Sequence, residues 1–296
     1  MLFIPCEEDE HLWTVYDIMD NKFLESKINL SYDKRFCGSS EGWLVAVNKD
    51  YTVSLYNPYS TLVGNCNNIQ LPKLFPPGVE YDFEDESDDE DFDHHIFKAT
   101  ITADPLENPN DCTIAVIFSD FELSFIRLGK DTTWTKVYRR GLFVEIMPYN
   151  NHFYVLDNIG GLISFEDDLH NLNEKVIIDD LRTLVHYCSK KYLLKSCRGD
   201  ILQVERYLTW EDNGGRQITE KFNVFKLDFE RHRWIEIKDL GIESLFVGDN
   251  SSISISTLNF VSCKRNCILD VYKISQTIMS TVSTTLFDQT LISLKN

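Results

Sequence analysis

The chain has no segment long and apolar enough to cross a membrane as a helix. Its longest apolar run, Cys112 to Phe118, is broken by Thr113, and spanning a bilayer takes about twenty such residues. Met1 to Pro5 is apolar, but Cys6-Glu-Glu-Asp-Glu10 follows too soon for a secretory signal core. Cations are scarce: 29 Lys and Arg stand against 47 Asp and Glu, a formal charge of -18. That balance argues against nucleic acid and against an anionic membrane surface, because both repel an acidic face. Catalytic signatures are missing too. There is no phosphate-binding glycine loop, no dinucleotide fingerprint, no paired-histidine zinc motif and no serine nucleophile elbow. The seven histidines, at 11, 94, 95, 152, 170, 186 and 232, have no ligand spacing. The expectation is a cytoplasmic or nuclear chain with no cofactor, no metal centre and no enzymatic activity.

Disulfides are not expected either. The eight cysteines are scattered, and 296 residues can bury a core without covalent staples. Cys263 and Cys267 have zinc-like spacing, but no second pair lies near them in sequence.

Strand signals fill the rest. Short runs of Val, Ile, Leu, Tyr and Phe alternate with Gly, Asn, Asp and Pro. Gly42–Val47 and Thr52–Tyr56 read as a hairpin, as do Ile114–Phe118 with Leu123–Arg127. So do His152–Leu156 with Leu162–Phe165, and Tyr192–Lys195 with Ile201–Val204. Phe222–Lys226 leads through a polar turn into Trp234–Ile237, and further strands are read at Trp13–Ile28 and Leu245–Ser256. Hairpins recurring every few tens of residues, without helices between them, suggest a radial array of small sheets. A β-sandwich is the competing fold. It does not account for a repeated layout in which Trp134 and Trp234 each follow the turn after a strand.

Ten acids and no Lys or Arg lie between Glu80 and Asp93, leaving -8 on the other 282 residues. Behind the Pro76-Pro77-Gly78 break, this composition predicts a solvated, disordered loop over 80–95. A docking site for a basic partner is the alternative, and Ser87 before Asp88-Asp-Glu90 suits an acidophilic kinase.

Arg35-Phe-Cys-Gly38-Ser39-Ser40-Glu-Gly42-Trp43-Leu44 is the most specific segment. It is followed by Asn57-Pro58 and by Ile69-Gln-Leu-Pro72. This order resembles the plant F-box-associated, kelch-like β-propeller family, and Leu245–Ser256, with Asp249 and Asn250, adds a second match. The resemblance spans about residues 10–267. It implies an all-β, kelch-like β-propeller of five to seven blades over 1–269, with the last blade complete or incomplete, and an atypical tail over 270–296. It also implies that Trp134 and Trp234 pack a blade against its neighbour. Gly38, Gly42, Trp43, Asn57 and Pro58 read as structural. Arg35, Ser39, Ser40, Asp249 and Asn250 are the candidate partner-binding residues.

Relatives of this kind sit behind an F-box and present substrates to a ubiquitin ligase. Here the propeller pattern starts a few residues from Met1, so binding of a Skp-type adaptor is not expected. The primary reading is a module that binds an unidentified protein. The alternatives are an enzyme using the propeller channel and a truncated, non-functional member. Limited proteolysis should cut first between Tyr81 and His95 and next after Asp270. An acidic segment that survives digestion would instead be packed on the folded body.

Overall fold

Strands rich in β-branched and aromatic residues assemble into six small sheets in the computed structural model. It describes residues 2–5, 12–17, 22–29, 34–48, 50–58, 60, 68–74, 96–118, 122–137, 142–166, 174–179, 188, 190–210, 217–259, 263–270 and 291–293. The acidic stretch 80–95 and most of the tail 270–296 lie outside these residues.

Strands β1 (Leu2–Pro5), β2 (Leu12–Asp17) and β3 (Lys22–Asn29) form a three-stranded N-terminal sheet. Five four-stranded blades follow. Blade 1 is β4 (Lys34–Ser40), β5 (Trp43–Asn48), β6 (Thr52–Tyr56) and β7 (Asn68–Lys73). Blade 2 is β8 (Ile96–Ile101), β9 (Thr113–Phe118), β10 (Glu122–Arg127) and β11 (Thr135–Val137). Blade 3 is β12 (Phe143–Tyr149), β13 (His152–Asp157), β14 (Leu162–Glu166) and β15 (Glu174–Ile178). Blade 4 is β16 (Lys190–Lys195), β17 (Ile201–Trp210), β18 (Gln217–Asp228) and β19 (Arg233–Ile237). In blade 5 the order changes: β21 (Ile253–Ser256), β20 (Glu243–Val247), β22 (Cys267–Asp270) and β23 (Leu291–Ser293).

The fold is therefore an all-β, five-bladed propeller, at the lower end of the five to seven read from the sequence. All five hairpins read from turn chemistry are present. The last blade gains its outer strand from the tail, through Cys267–Ser293, Ile268–Ile292 and Leu269–Leu291 pairing. Its β22 runs parallel to β20, unlike every other described strand pair.

The core lies between blades. Alternate residues of β9 point to opposite faces. Ile114, Val116 and Phe118 pack on Trp43, Val45 and Leu55 of blade 1. Ala115 and Ile117 pack with Phe143, Phe153 and Phe165 of blade 3. Both faces of β9 are thus covered, so Thr113–Phe118 is buried throughout and its residues from Ile114 onward read as a continuous apolar run. Leu156 and Leu162 meet Leu193, Leu227 and Trp234 between blades 3 and 4. Leu202, Val204 and Val224 meet Leu245, Val247 and Ile268 between blades 4 and 5.

Three tryptophans stitch these seams. Trp43 Nε1 donates to Asp104 Oδ2 of blade 2 at 3.1 Å. Trp134 Nε1 donates to Pro72 O of blade 1 at 2.9 Å, and Trp234 Nε1 donates to Gly160 O of blade 3 at 2.9 Å. Asn57 takes a local role: its Oδ1 accepts from the Ser60 amide at 3.1 Å, with Pro58 buried between them.

Gly38 is required where the innermost strands of blades 1 and 2 converge. A Cβ there would lie 1.9 Å from the carbonyl oxygen of Ala99. Gly42, at φ +79° in the β4–β5 turn, has open space around it. Gly38→Ala is expected to cost about 3 kcal/mol through overpacking, and Gly42→Ala about 1 kcal/mol through its left-handed backbone. Urea midpoints of the two variants check the order. Equal losses would show that the β4–β8 approach is not tight.

Candidate functional site

The first strand of blades 1 to 4 and the strand β21 of blade 5 surround the propeller axis. Their starts and ends line two separate cavities. Arg35, Lys98, Phe143 to Glu145, Lys190 to Tyr192 and Asp249 line a chamber of about 320 Å³, with Cys188 and Asn158 at its edge. Ser39, Ser40, Ala99, Thr100, Ile146 to Pro148, Leu193, Lys195 and Asn250 to Ser254 line a second chamber of about 390 Å³. Lys98 and Glu145 belong to both linings.

That shared wall is a buried ion pair. Lys98 Nζ donates to Glu145 Oε1 at 2.7 Å, and the two side chains are 6% and 5% exposed. The same ammonium donates to the backbone oxygen of Asp249 at 3.0 Å, tying blade 2 to the β20–β21 loop. Burial pushes the Glu145 carboxyl up to about 7 from its ordinary 4.5, against the pull of Lys98. Beside the pair, Lys190 Nζ lies 2.7 Å from both carboxylate oxygens of Asp249. Lys191 Nζ donates to Glu205 Oε1 at 2.9 Å and to Cys188 Sγ at 2.9 Å. Glu205 also accepts from Gln203 Nε2 at 3.0 Å and from Tyr207 Oη at 2.8 Å. Burial pulls the Lys191 ammonium down, but its thiol and carboxylate neighbours outweigh this and raise it. Every cation of the network is thus neutralised locally, as a low-dielectric interior requires.

A wider groove of about 930 Å³ adjoins the second chamber. Glu41, Pro148 and Lys195 line both. Its other walls include Asp111, Arg127, Lys130, His152 and Glu166, so charged residues of both signs line it. Among the described residues, no three His, Cys, Asp or Glu side chains converge to hold a metal ion. No described helix is long and apolar enough to cross a membrane.

The five candidate residues, 215 positions apart at their extremes (Arg35 to Asn250), converge on this axis. The structure divides them. Ser39, Ser40 and Asn250 line the second chamber, whereas Arg35 and Asp249 line the first. Ser39 Oγ and Ser251 Oγ are 2.7 Å apart, and Ser40 Oγ donates to Ile101 O at 3.1 Å. Sequence reasoning missed Lys98, Glu145, Lys190 and Lys191. Their signal was available: each is a charge set in or beside the apolar run that begins a blade, as in Phe97-Lys98-Ala99 and Val144-Glu145-Ile146.

Residues 15–276 match the sequence model of the KIB1-4 beta-propeller family. Among curated proteins, the Arabidopsis thaliana F-box protein SKIP23 is 25% identical over 253 residues, which is 73% of this chain and 59% of that protein. The F-box protein At2g26160 of the same plant is 21% identical over 289 residues, covering 88% of this chain and 82% of the relative. Across three of the matched Arabidopsis proteins, this chain spans only 40%, 45% and 59% of the relative's own length.

The pH response of Glu145 can be measured. Its carboxyl sits above the ordinary value in the folded chain, so the folded state binds the extra proton. That contribution to stability is full below about 4.5 and is lost as pH rises through about 7. Urea midpoints compared at pH 5 and pH 8 should fall less in Glu145→Gln than in the unaltered chain. Parallel profiles would show that Glu145 titrates normally.

Proposed function

The chain belongs to the KIB1-4 β-propeller family, and from that premise we propose that it is the recognition module of a ubiquitin ligase, binding a protein substrate on its propeller face. The names of its relatives, F-box proteins of Arabidopsis thaliana, support the ligase context. The observation that carries the binding reading is geometric. Two motifs far apart in sequence, Ser39-Ser40 and Asn250–Ser254, meet at one mouth of the axis. That mouth opens beside a mixed-charge groove large enough for several side chains of a partner. Loops at the end of a rigid scaffold are where recognition residues concentrate. A lining of mixed charge suits selection by complementary pairing more than tight apolar docking.

The propeller contributes substrate binding, and the contact with a Skp-type adaptor belongs to an F-box. Residues 1–296 alone should therefore not co-elute with a purified Skp-type adaptor, while the same residues fused behind an F-box should. Co-elution of the unfused chain would contradict this division of labour. Proximity labelling in plant cells tests the face: at least one protein labelled by the unaltered chain should be lost with Asn250→Arg at unchanged melting temperature. Identical labelling by both would move the contact elsewhere.

A further inference from the structure

We propose that Cys188 and Lys191 form a modification site, joined by a reversible sulfur–nitrogen bridge when hydrogen peroxide enters the first axial chamber. The site does not depend on which partner the propeller face binds.

Cys188-Ser-Lys-Lys191 leads into β16, and Lys191 stands directly opposite Glu205 in the β16–β17 ladder. Alternate residues of a strand share a face, so Gln203 and Tyr207 flank Glu205 on the same side. Both donate to its carboxylate and hold it beside the Lys191 ammonium, which lies at 2.9 Å. On its other side Lys191 Nζ lies 2.9 Å from Cys188 Sγ. Thiol, amine and carboxylate thus stand in a row. Other described thiols are placed differently: Cys37 and Cys267 donate to backbone carbonyls, and Cys197 lies beside the Ser254 hydroxyl.

Two features make the row reactive. The nitrogen is nearer to sulfur than about 3–3.5 Å, the separation at which reacting atoms are poised. The Lys191 side chain is only 3% exposed, so the protein around it fixes that approach. The second feature is access. Cys188 is half-buried, and both residues line the chamber of about 320 Å³, which has room for hydrogen peroxide.

The chemistry takes two steps. In the first, the Cys188 thiolate attacks one peroxide oxygen and the O–O bond breaks. Sulfur gives up two electrons and becomes a sulfenic acid, and the other oxygen leaves as water with the thiol proton. In the second, the Lys191 ammonium passes one proton to Glu205, and its nitrogen attacks Sγ. The S–N bond forms as the S–O bond breaks, and hydroxide leaves as water with a second proton from nitrogen. Sulfenic acids condense with nitrogen in this way, and the product is open to thiols. Burial raises the Cys188 thiol above its ordinary value, and Lys191 offsets this only in part. The thiolate is the nucleophile, so the first step quickens as pH rises.

Mass spectrometry of the full chain tests the bridge, after equimolar hydrogen peroxide at pH 8 and then after dithiothreitol. The oxidised chain should weigh two hydrogens less than the reduced one. Its tryptic peptides carrying Cys188 and Lys191 should stay joined across the cleavage after Lys190, and dithiothreitol should separate them. Cys188→Ser should lose the joined peptides. So should Lys191→Arg, which keeps a cation beside Glu205, and there Cys188 should gain oxygen instead. Lys190→Arg, at the lysine that pairs with Asp249, should keep them. In the unaltered chain, a Cys188 left unmodified, oxygenated without joining or joined to another cysteine would overturn the proposal, so the test stands even if a variant fails to fold. A bridge that persists in Lys191→Arg would overturn it too.

Discussion

Burial of apolar surface between neighbouring blades is the constraint on which everything else in this propeller rests. No blade has a core of its own. Blades 2, 3 and 4 are thin sheets whose middle strands are covered on both faces by the next sheets around the ring. β9 shows the consequence most clearly, since Ile114 and Ala115 are both fully buried yet belong to different seams. At about 25 cal/mol per Å² of apolar area, a seam loses most of its stabilisation if the neighbouring blade is absent. The tryptophan N–H bonds across three boundaries add direction to this otherwise undirected attraction, fixing how far one sheet slides on another.

Close to the axis the same geometry produces the opposite chemistry. The inner strands converge until backbones nearly touch, as Gly38 and Ala99 do, and no room is left for a layer of large apolar side chains. Charged groups reach into the space that remains and are paired there, Lys191 with Glu205 inside blade 4 and others across blades. Lys98 finds Glu145 of the next blade, and farther from the axis Arg206 of β17 finds Asp270 of β22, with Thr219 bonding both partners. Such pairs seldom add net stability over apolar replacements, but removing one member leaves a buried charge and is costly. They specify which strands may sit beside one another around the ring.

Much of this was legible in the chain. The five hairpins were readable because Gly, Asn and Asp in the turns interrupt strongly apolar runs. Ser196 shows how directly that works: its hydroxyl accepts from the amides of Arg198 and Asp200 and closes the turn. Three features were not legible. β11 is only Thr135–Val137 and carries no apolar pattern. β22 pairs in parallel with β20 after a crossover, and a parallel partner leaves no turn signature between the two strands. The charges at the axis were visible as residues but not as a site. Lys98 and Glu145 lie 47 positions apart, and only ring closure brings them together. Within the candidate residues, the convergence of Arg35, Ser39, Ser40, Asp249 and Asn250 on the axis could not be read from spacing, and neither could their division between two chambers.

Blade 5 and blade 1 meet without a described apolar slab. Ser39 and Ser251 touch there through hydroxyls 212 residues apart in the chain. The four apolar seams join consecutive blades and can form as the chain leaves the ribosome, each new sheet condensing on the one already made. The last junction differs: blade 1 is made first of the five and blade 5 last, and the contact described between them is polar. A nascent chain will therefore pass through a stage with four seams closed and one open. Among the described contacts, the first and last blades are thus tied by a polar bond between residues that the chain itself keeps far apart.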